Sequence, residues 1–113
     1  MSDVLKQLAA TLGERKSADP DASYVAALHQ QGLNKILEKI GEEATEVILA
    51  AKDVETGDDR DALAGEVADL WFHTLVMLSH LDMEMDDVLQ CLRDRFGVSG
   101  LEEKASRDAA GEK

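Results

Sequence analysis

The sequence is poor in cysteine, proline and aromatic residues, and each scarcity excludes a class of structure. The single cysteine, Cys91, excludes an intramolecular disulfide and a cysteine-based zinc site. One proline, 4 % aromatic residues and few β-branched runs favour helices over strands. Residues 1–6 lack the basic flank and apolar core of a signal peptide. Because the longest apolar run, residues 70–81, is too interrupted to span a bilayer, we predict a cytoplasmic protein.

Basic residues are also scarce, since 12 lysines and arginines stand against 24 acidic residues, for a formal net charge of −12. A chain this acidic repels nucleic acids and anionic membranes, so we expect neither as a partner. Solubility alone is a sufficient reason for such a charge. The length of 113 residues and the hydrophobic fraction of 44 % predict one domain, with its core at about residues 3–96 and a C-terminal extension at 97–113.

Apolar residues recur at spacings of three and four along five segments, which predicts an all-α helical bundle. The predicted helices run from Asp3 to Glu14, Tyr24 to Gln31, Asn34 to Glu55, Arg60 to Leu81 and Asp86 to Phe96. Ser23 is the expected N-cap of the second helix and Gly32 its end. A further short helix is expected at residues 101–108.

The same spacings predict which helix faces are buried. On the third helix the expected core stripe consists of Leu33, Leu37, Ile40, Ala44, Val47, Ile48 and Ala51. The fourth helix is apolar over most of its circumference, so we expect it at the centre of the bundle, with a second chain covering what its neighbours leave bare. On the fifth helix, Val88, Leu89 and Leu92 are expected to point inward, with Cys91 as a small core residue.

Two acidic clusters on neighbouring helices are the feature most informative about function. The first is Glu42-Glu43-Ala44-Thr45-Glu46, and the second is Glu66-Val67-Ala68-Asp69. At about 100° per residue, the charged flank of the third helix adjoins its buried face. On the fourth helix, Glu66, Asp69 and His73 share a stripe among apolar residues, where an ionised aspartate is costly unless it is paired or bound to metal.

If the two helices are antiparallel, their acidic faces meet, and four carboxylates could ligate one divalent cation. The expected ligands are Glu43, Glu46, Glu66 and Asp69, an oxygen set suited to Mg²⁺, with Mn²⁺ possible. The same residues have simpler explanations without a metal. The acidic face of the third helix could be solvated, Asp69 could be paired with Lys39 or a helix end, and His73 could be hydrogen-bonded within the core. His29 and His80 carry no functional signal.

The motifs resemble the phosphoribosyl-ATP pyrophosphatase family, within the MazG-type all-α nucleotide pyrophosphatases. The resemblance is carried by Glu-Glu-x-x-Glu at residues 42–46, Glu-x-x-Asp at 66–69, the pair Ser23-Tyr24 and the run from Asp69 to His73. It covers roughly residues 5–96. Arg15 also falls where the family carries an arginine, whereas Phe72 stands where the family often has tyrosine.

The resemblance implies metal-dependent hydrolysis of phosphoribosyl-ATP to phosphoribosyl-AMP and pyrophosphate, the second step of histidine biosynthesis, by a homodimer. Glu46 and Glu42 are the catalytic candidates, with Glu42 turned further from the other carboxylates. The candidate substrate contacts are Lys35, Lys39, Arg15, Ser23, Tyr24, Lys52 and His73. The lysines on the acidic flank of the third helix would neutralise pyrophosphate. Ser23 is equally well explained as a helix cap.

Two other functions fit part of the pattern. The first is a house-cleaning MazG-type pyrophosphatase that acts on ordinary or non-canonical nucleoside triphosphates. The Ser23-Tyr24 pair and the position of His73 argue against it. The second is a non-enzymatic helical adaptor, which has no need for carboxylates that converge beside a core.

Overall fold

The computed structural model describes residues 2–57 and 59–97, and these residues form five α-helices without a strand. The helices are α1 (Ser2–Arg15), α2 (Tyr24–Gln31), α3 (Leu33–Glu55), α4 (Arg60–His80) and α5 (Met85–Phe96). The predicted all-α class is confirmed, and each predicted helix lies within two residues of its observed bounds. The helix expected at residues 101–108 lies outside the described residues. None of the described helices is long and apolar enough to cross a membrane.

Local signals explain where α2 begins and ends. The Ser23 side chain accepts a hydrogen bond from the Ala26 N–H at 3.2 Å, as an N-cap should. Gly32 ends the helix with a φ of 99°, a left-handed conformation that favours glycine, and its N–H donates to the Leu28 carbonyl. The next helix begins immediately after this glycine. The entry and exit of α2 therefore follow from the chemistry of two residues.

Helices α1 to α4 form one compact unit that extends to Met83. The connection after Glu55 folds α4 back along α3, and α1 and α2 pack against this pair. The buried core cluster consists of Leu12, Val25, Leu28, Ile36 and Val76. These residues come from all four helices, so burial of their side chains holds the unit together.

The core face of α3 differs from the predicted stripe. Ile36 is fully buried and Glu43 nearly so, whereas Leu37 and Ile48 are 44 % and 64 % exposed. The prediction was wrong for Leu37 and Ile48, and also for the exposed Ala51, because α4 packs against the face centred on Ile36, about 100° away around the helix. Trp71 of α4 is also 53 % exposed, so the predicted central position of α4 does not bury its whole circumference.

Helix α5 belongs to a second unit that begins at Glu84. Its first turn is closed by a capping box between Glu84 and Asp87. None of the described residues of α5 is buried. Val88, Leu92 and Cys91 are exposed rather than inward, and Leu89 is half-buried. The predicted burial of Val88 and Leu92 was therefore wrong, because apolar spacing gives a helix an apolar face but does not determine whether that face is covered.

A polar junction ties the end of α4 to α2 and to the end of α1. The Lys16 ammonium donates to the Ser79 carbonyl at 2.7 Å and pairs with Asp82 at 3.0 Å. The imidazoles of His29 and His80 stack, with their Nδ1 atoms 2.9 Å apart. Burial, and secondarily the charges of His80 and Lys16, lowers the pKa of His29. This junction carried no sequence signal, because its members are about 50 or more residues apart.

Candidate metal centre and adjoining cleft

Three glutamates from two helices converge at the junction of α3 and α4. Glu43 and Glu46 project from α3 and Glu66 from α4, and each offers a carboxylate oxygen within 4.8 Å of the others. We call these three residues the glutamate trio. Glu43 is 7 % exposed, Glu66 is half-buried and Glu46 is exposed. The predicted meeting of the two acidic helices is thus present for three of its four carboxylates.

The trio contains carboxylate oxygens that lack a partner. One oxygen of Glu43 and one of Glu66 are buried and accept no hydrogen bond from the described residues. Buried polar atoms are normally satisfied, and a buried carboxylate without a partner is costly. A divalent cation at the trio would supply the missing partner for both oxygens.

The electrostatics of the trio favour the same conclusion. Burial raises the pKa of Glu43 to about 7, helped by the neighbouring carboxylates of Glu46 and Asp69 and opposed by Lys39. Burial also raises the pKa of Glu66, with the charges of Glu46 and Asp69 adding to the effect. Without a cation, negative charge at this position is disfavoured. A bound cation would reverse that penalty.

Asp69 stands slightly apart from the trio. Its side chain is exposed, which contradicts the expectation of an aspartate enclosed among apolar residues. The reason is helical geometry, since the apolar neighbours Leu70 and Trp71 project from other faces of α4. Its charge nevertheless raises the pKa values of Glu43 and Glu66, and its side chain lines the space beside them.

That space is an open cleft of about 540 Å³ in the first unit. Its walls come from α1, α2, α3 and α4, and the lining residues are Leu8, Tyr24, Lys39, Glu43, Ala68, Asp69, Phe72 and His73. The rings of Tyr24 and Phe72 stack with centroids 6.2 Å apart. The cleft therefore joins an aromatic wall to an acidic end that carries one lysine. Leu8, Ala68 and Phe72 were not predicted as site residues, because apolar lining carries no motif.

Lys39 is the predicted basic residue that reaches the cleft. It pairs with Glu42 at 3.0 Å, and that hydrogen bond raises the pKa of Lys39 and lowers the pKa of Glu42. Both groups therefore stay charged at neutral pH. Glu42 lies outside the trio, in agreement with its expected orientation.

The other predicted basic residues lie elsewhere. Lys35 pairs with Glu38 at 3.5 Å, and Lys52 pairs with Glu55 at 2.6 Å. Arg15 is exposed at the end of α1. None of these three basic side chains is among the described residues that line the cleft.

The Ser-Tyr motif places its two residues in different surroundings. Ser23 is buried as the cap of α2, whereas Tyr24 lines the cleft. The Tyr24 hydroxyl lies 2.8 Å from Nε2 of His73. His73 is 5 % exposed, and its Nδ1 lies 2.8 Å from the Asp69 carbonyl oxygen. The satisfied histidine weighed in the sequence analysis is thus observed, and its partner is at the cleft.

Comparisons with known proteins identify the family of this chain. The family model for phosphoribosyl-ATP pyrophosphohydrolase matches residues 5–96, which contain the trio and the cleft. The phosphoribosyl-ATP pyrophosphatases of Burkholderia cenocepacia (strain HI2424) and Burkholderia ambifaria (strain MC40-6) are each 59 % identical to this chain over 105 residues. Each alignment covers 93 % of this chain and 87 % of the relative. The chain therefore belongs to the phosphoribosyl-ATP pyrophosphohydrolase family.

Proposed function

We propose that this chain hydrolyses phosphoribosyl-ATP at its α–β phosphoanhydride, releasing phosphoribosyl-AMP and pyrophosphate in the second step of histidine biosynthesis. The observation that carries the proposal is the glutamate trio, in which two buried oxygens accept no hydrogen bond from the residues that the structure describes. The adjoining cleft of about 540 Å³ has a volume typical of small-molecule sites. Family membership supplies the identity of the substrate.

Mg²⁺ is the cofactor that we propose for the trio, with Mn²⁺ as a possible substitute. Both are hard cations that prefer oxygen ligands, and Glu43, Glu46 and Glu66 offer only oxygen. We propose the exposed Asp69 as the fourth ligand, because its charge already acts on Glu43 and Glu66. When bound, the ion supplies positive charge to the phosphate oxygens and lowers the pKa of a coordinated water.

The chain's own residues would divide the remaining work. Water attacks phosphorus, the bridging P–O bond breaks, and the attacking water must lose a proton. Glu46 is our candidate to take that proton, because it is the solvent-exposed member of the trio. Lys39 would neutralise the departing pyrophosphate, since its raised pKa keeps it charged. Glu42 would hold Lys39 toward the cleft or orient the water, and its lowered pKa makes it a weaker base than an ordinary glutamate.

The structure offers less support for substrate contacts by three of the predicted basic residues and by Ser23. Substrate contact by Lys35, Lys52 and Arg15 stays a prediction, because these side chains lie outside the cleft lining. The backbone hydrogen bond that Ser23 accepts accounts for that serine without any substrate.

Product analysis tests the proposed reaction. Purified protein incubated with phosphoribosyl-ATP and Mg²⁺ is expected to release phosphoribosyl-AMP and pyrophosphate in equal amounts, measured by ion-exchange chromatography. A parallel incubation with deoxynucleoside triphosphates serves as the specificity control. Release of orthophosphate, or faster turnover of the deoxynucleotides, would show that the proposed reaction is wrong.

We also propose that the protein is a homodimer that uses the uncovered apolar stripe of α3. Leu37, Ala44, Ile48 and Ala51 share this stripe, on the flank opposite the charged one. Exposed apolar stripes of this kind mark association surfaces. Ile48→Glu is expected to convert a dimer into a monomer in sedimentation experiments. Leu49→Glu, an exposed leucine off the stripe, is the matched control and should stay dimeric. A monomeric parent protein at micromolar concentration would contradict the proposal.

A further inference from the structure

A chain of two hydrogen bonds at the cleft has no part in the proposed chemistry. The Tyr24 hydroxyl is 2.8 Å from Nε2 of His73, and Nδ1 of His73 is 2.8 Å from the backbone carbonyl oxygen of Asp69. Tyr24 is the first residue of α2, and the other two belong to α4. The chain therefore links two helices across the wall of the cleft.

The direction of both hydrogen bonds follows from the end of this chain. A backbone carbonyl carries no hydrogen, so the His73 ring must donate from Nδ1 to the Asp69 oxygen. A neutral imidazole that carries its hydrogen on Nδ1 has only a lone pair on Nε2. With the ring neutral, the Tyr24 hydroxyl donates its single hydrogen to Nε2 of His73.

This direction fixes what Tyr24 can offer to the cleft. With its hydrogen committed to His73, the phenolic oxygen presents lone pairs alone. The Tyr24 side of the pair is accessible, since Tyr24 is 52 % exposed while His73 is 5 % exposed. The stacked ring of Phe72 and the edge of the His73 ring, with its centroid 5.8 Å away, brace the tyrosine. The result is a preorganised hydrogen-bond acceptor.

We propose that His73 is a positioning residue that makes Tyr24 an acceptor-only group, and that Tyr24 binds a donor on the ribose or base portion of the nucleotide. Phosphate oxygens are acceptors, so the polyphosphate would meet the tyrosine oxygen lone pair to lone pair. The inference rests on the proposed function and assigns an orientation to its substrate. In this orientation the trio holds the polyphosphate, and the nucleoside portion meets the Tyr24 oxygen, which has Lys39 and Glu43 among its charged neighbours. His73 thus acts through the tyrosine. This role replaces the direct substrate contact that the family resemblance implied for His73.

Tyr24→Phe tests the acceptor directly, because it removes the hydroxyl and keeps the stacked ring. We expect KM for phosphoribosyl-ATP to rise by about three- to tenfold with kcat nearly unchanged, as for the loss of one hydrogen bond made equally to substrate and transition state. Inhibition by phosphoribosyl-AMP should weaken by the same factor, because that product retains every candidate donor. Inhibition by pyrophosphate should not change. An unchanged KM, or weaker inhibition by pyrophosphate alone, would overturn the proposal.

Two His73 variants test the positioning role. His73→Leu removes the acceptor for the tyrosine hydrogen, whereas His73→Gln retains one donor and one acceptor. We expect His73→Leu to raise KM and His73→Gln to keep KM near the parent value. In combination with Tyr24→Phe, neither substitution should change KM further. Independent, multiplicative effects in the double variants would show that His73 does not act through Tyr24. Should His73→Leu fail to fold, the KM and product-inhibition results for Tyr24→Phe still decide whether Tyr24 is the acceptor.

The outcome for the unaltered protein separates this inference from the proposed function. Absence of phosphoribosyl-AMP formation by the parent chain contradicts the reaction itself. Normal turnover by the parent, with no KM or inhibition difference in Tyr24→Phe, contradicts only the role given to Tyr24 and His73.

Discussion

Replacing Glu46 by glutamine is expected to lower kcat for phosphoribosyl-ATP by at least about 100-fold, since loss of even an indirect support to a metal ligand costs 10–100-fold. The substitution keeps the size of the side chain and removes its charge. Glu46 is exposed, so the fold should tolerate the change, and the melting temperature should move little. Steady-state rates of pyrophosphate release, measured at saturating substrate, give the comparison.

Glu55→Gln is the matched control for this experiment. Glu55 lies on the same helix, is exposed and carries the same charge, but it pairs with Lys52 and lies outside the trio. We expect this variant to retain the parent rate within about twofold. Exposed substitutions away from a site usually change the free energy of unfolding by no more than about 0.5 kcal/mol. Equal rates for Glu46→Gln and Glu55→Gln would remove Glu46 from the catalytic site.

Adding Mg²⁺ to metal-free protein is expected to raise the melting temperature, and by more at high pH than at low pH. A cation present at 100 times its dissociation constant stabilises the folded state by about 2.7 kcal/mol. For a domain of this size, such a change corresponds to a shift on the order of 10 °C. The ion must displace the proton from Glu43, whose pKa is raised to about 7. Melting curves with and without Mg²⁺ at a series of pH values measure the effect.

For the metal-free protein, stability changes with pH in the opposite direction. Between the ordinary glutamate pKa of 4.5 and the raised value of about 7, folded Glu43 holds a proton that the unfolded chain has lost. The metal-free protein should therefore lose stability as the pH rises through this window. Glu43→Gln should flatten that loss and weaken the response to Mg²⁺. A Mg²⁺ shift that is independent of pH and unchanged in Glu43→Gln would contradict the assignment of Glu43 as a ligand.

The sequence was sufficient for features that local chemistry decides. Helix α2 was predicted with its observed bounds because Ser23 caps it and Gly32 ends it. The convergence of Glu43 and Glu46 with Glu66 followed from helical spacing and a short connection that folds α4 back along α3. In each case the determining residues are close in sequence or belong to two consecutive helices.

The sequence was insufficient where packing chooses between equivalent faces. Helix α3 has apolar residues on more than one face, and only the position of α4 decides that Ile36 is buried and Ile48 exposed. The enclosure of Asp69 was wrongly predicted from its sequence neighbours, which project from other faces of the helix. Periodicity shows that a helix has an apolar face but does not name the helix that will cover it.

Polar contacts between residues far apart in the sequence could not be predicted for a different reason. The bond from Tyr24 to His73 joins residues 49 positions apart, and the contact between His29 and His80 joins residues 51 positions apart. Neither pair forms a spaced motif, so only the folded chain reveals it. The resemblance to the family identified Tyr24 and His73 as site candidates, and the geometry supplied the direction of the hydrogen bonds between them.

The proposed reaction depends on a divalent cation held by Glu43, Glu46 and Glu66 beside the cleft. The most direct measurement is the anomalous scattering of Mn²⁺ in crystals of the parent protein grown with that ion. We expect a manganese peak within coordination distance of all three carboxylates, and no peak there in Glu46→Gln crystals grown at low Mn²⁺ concentration. Manganese bound at other carboxylates, with the trio left in contact with solvent alone, would contradict it.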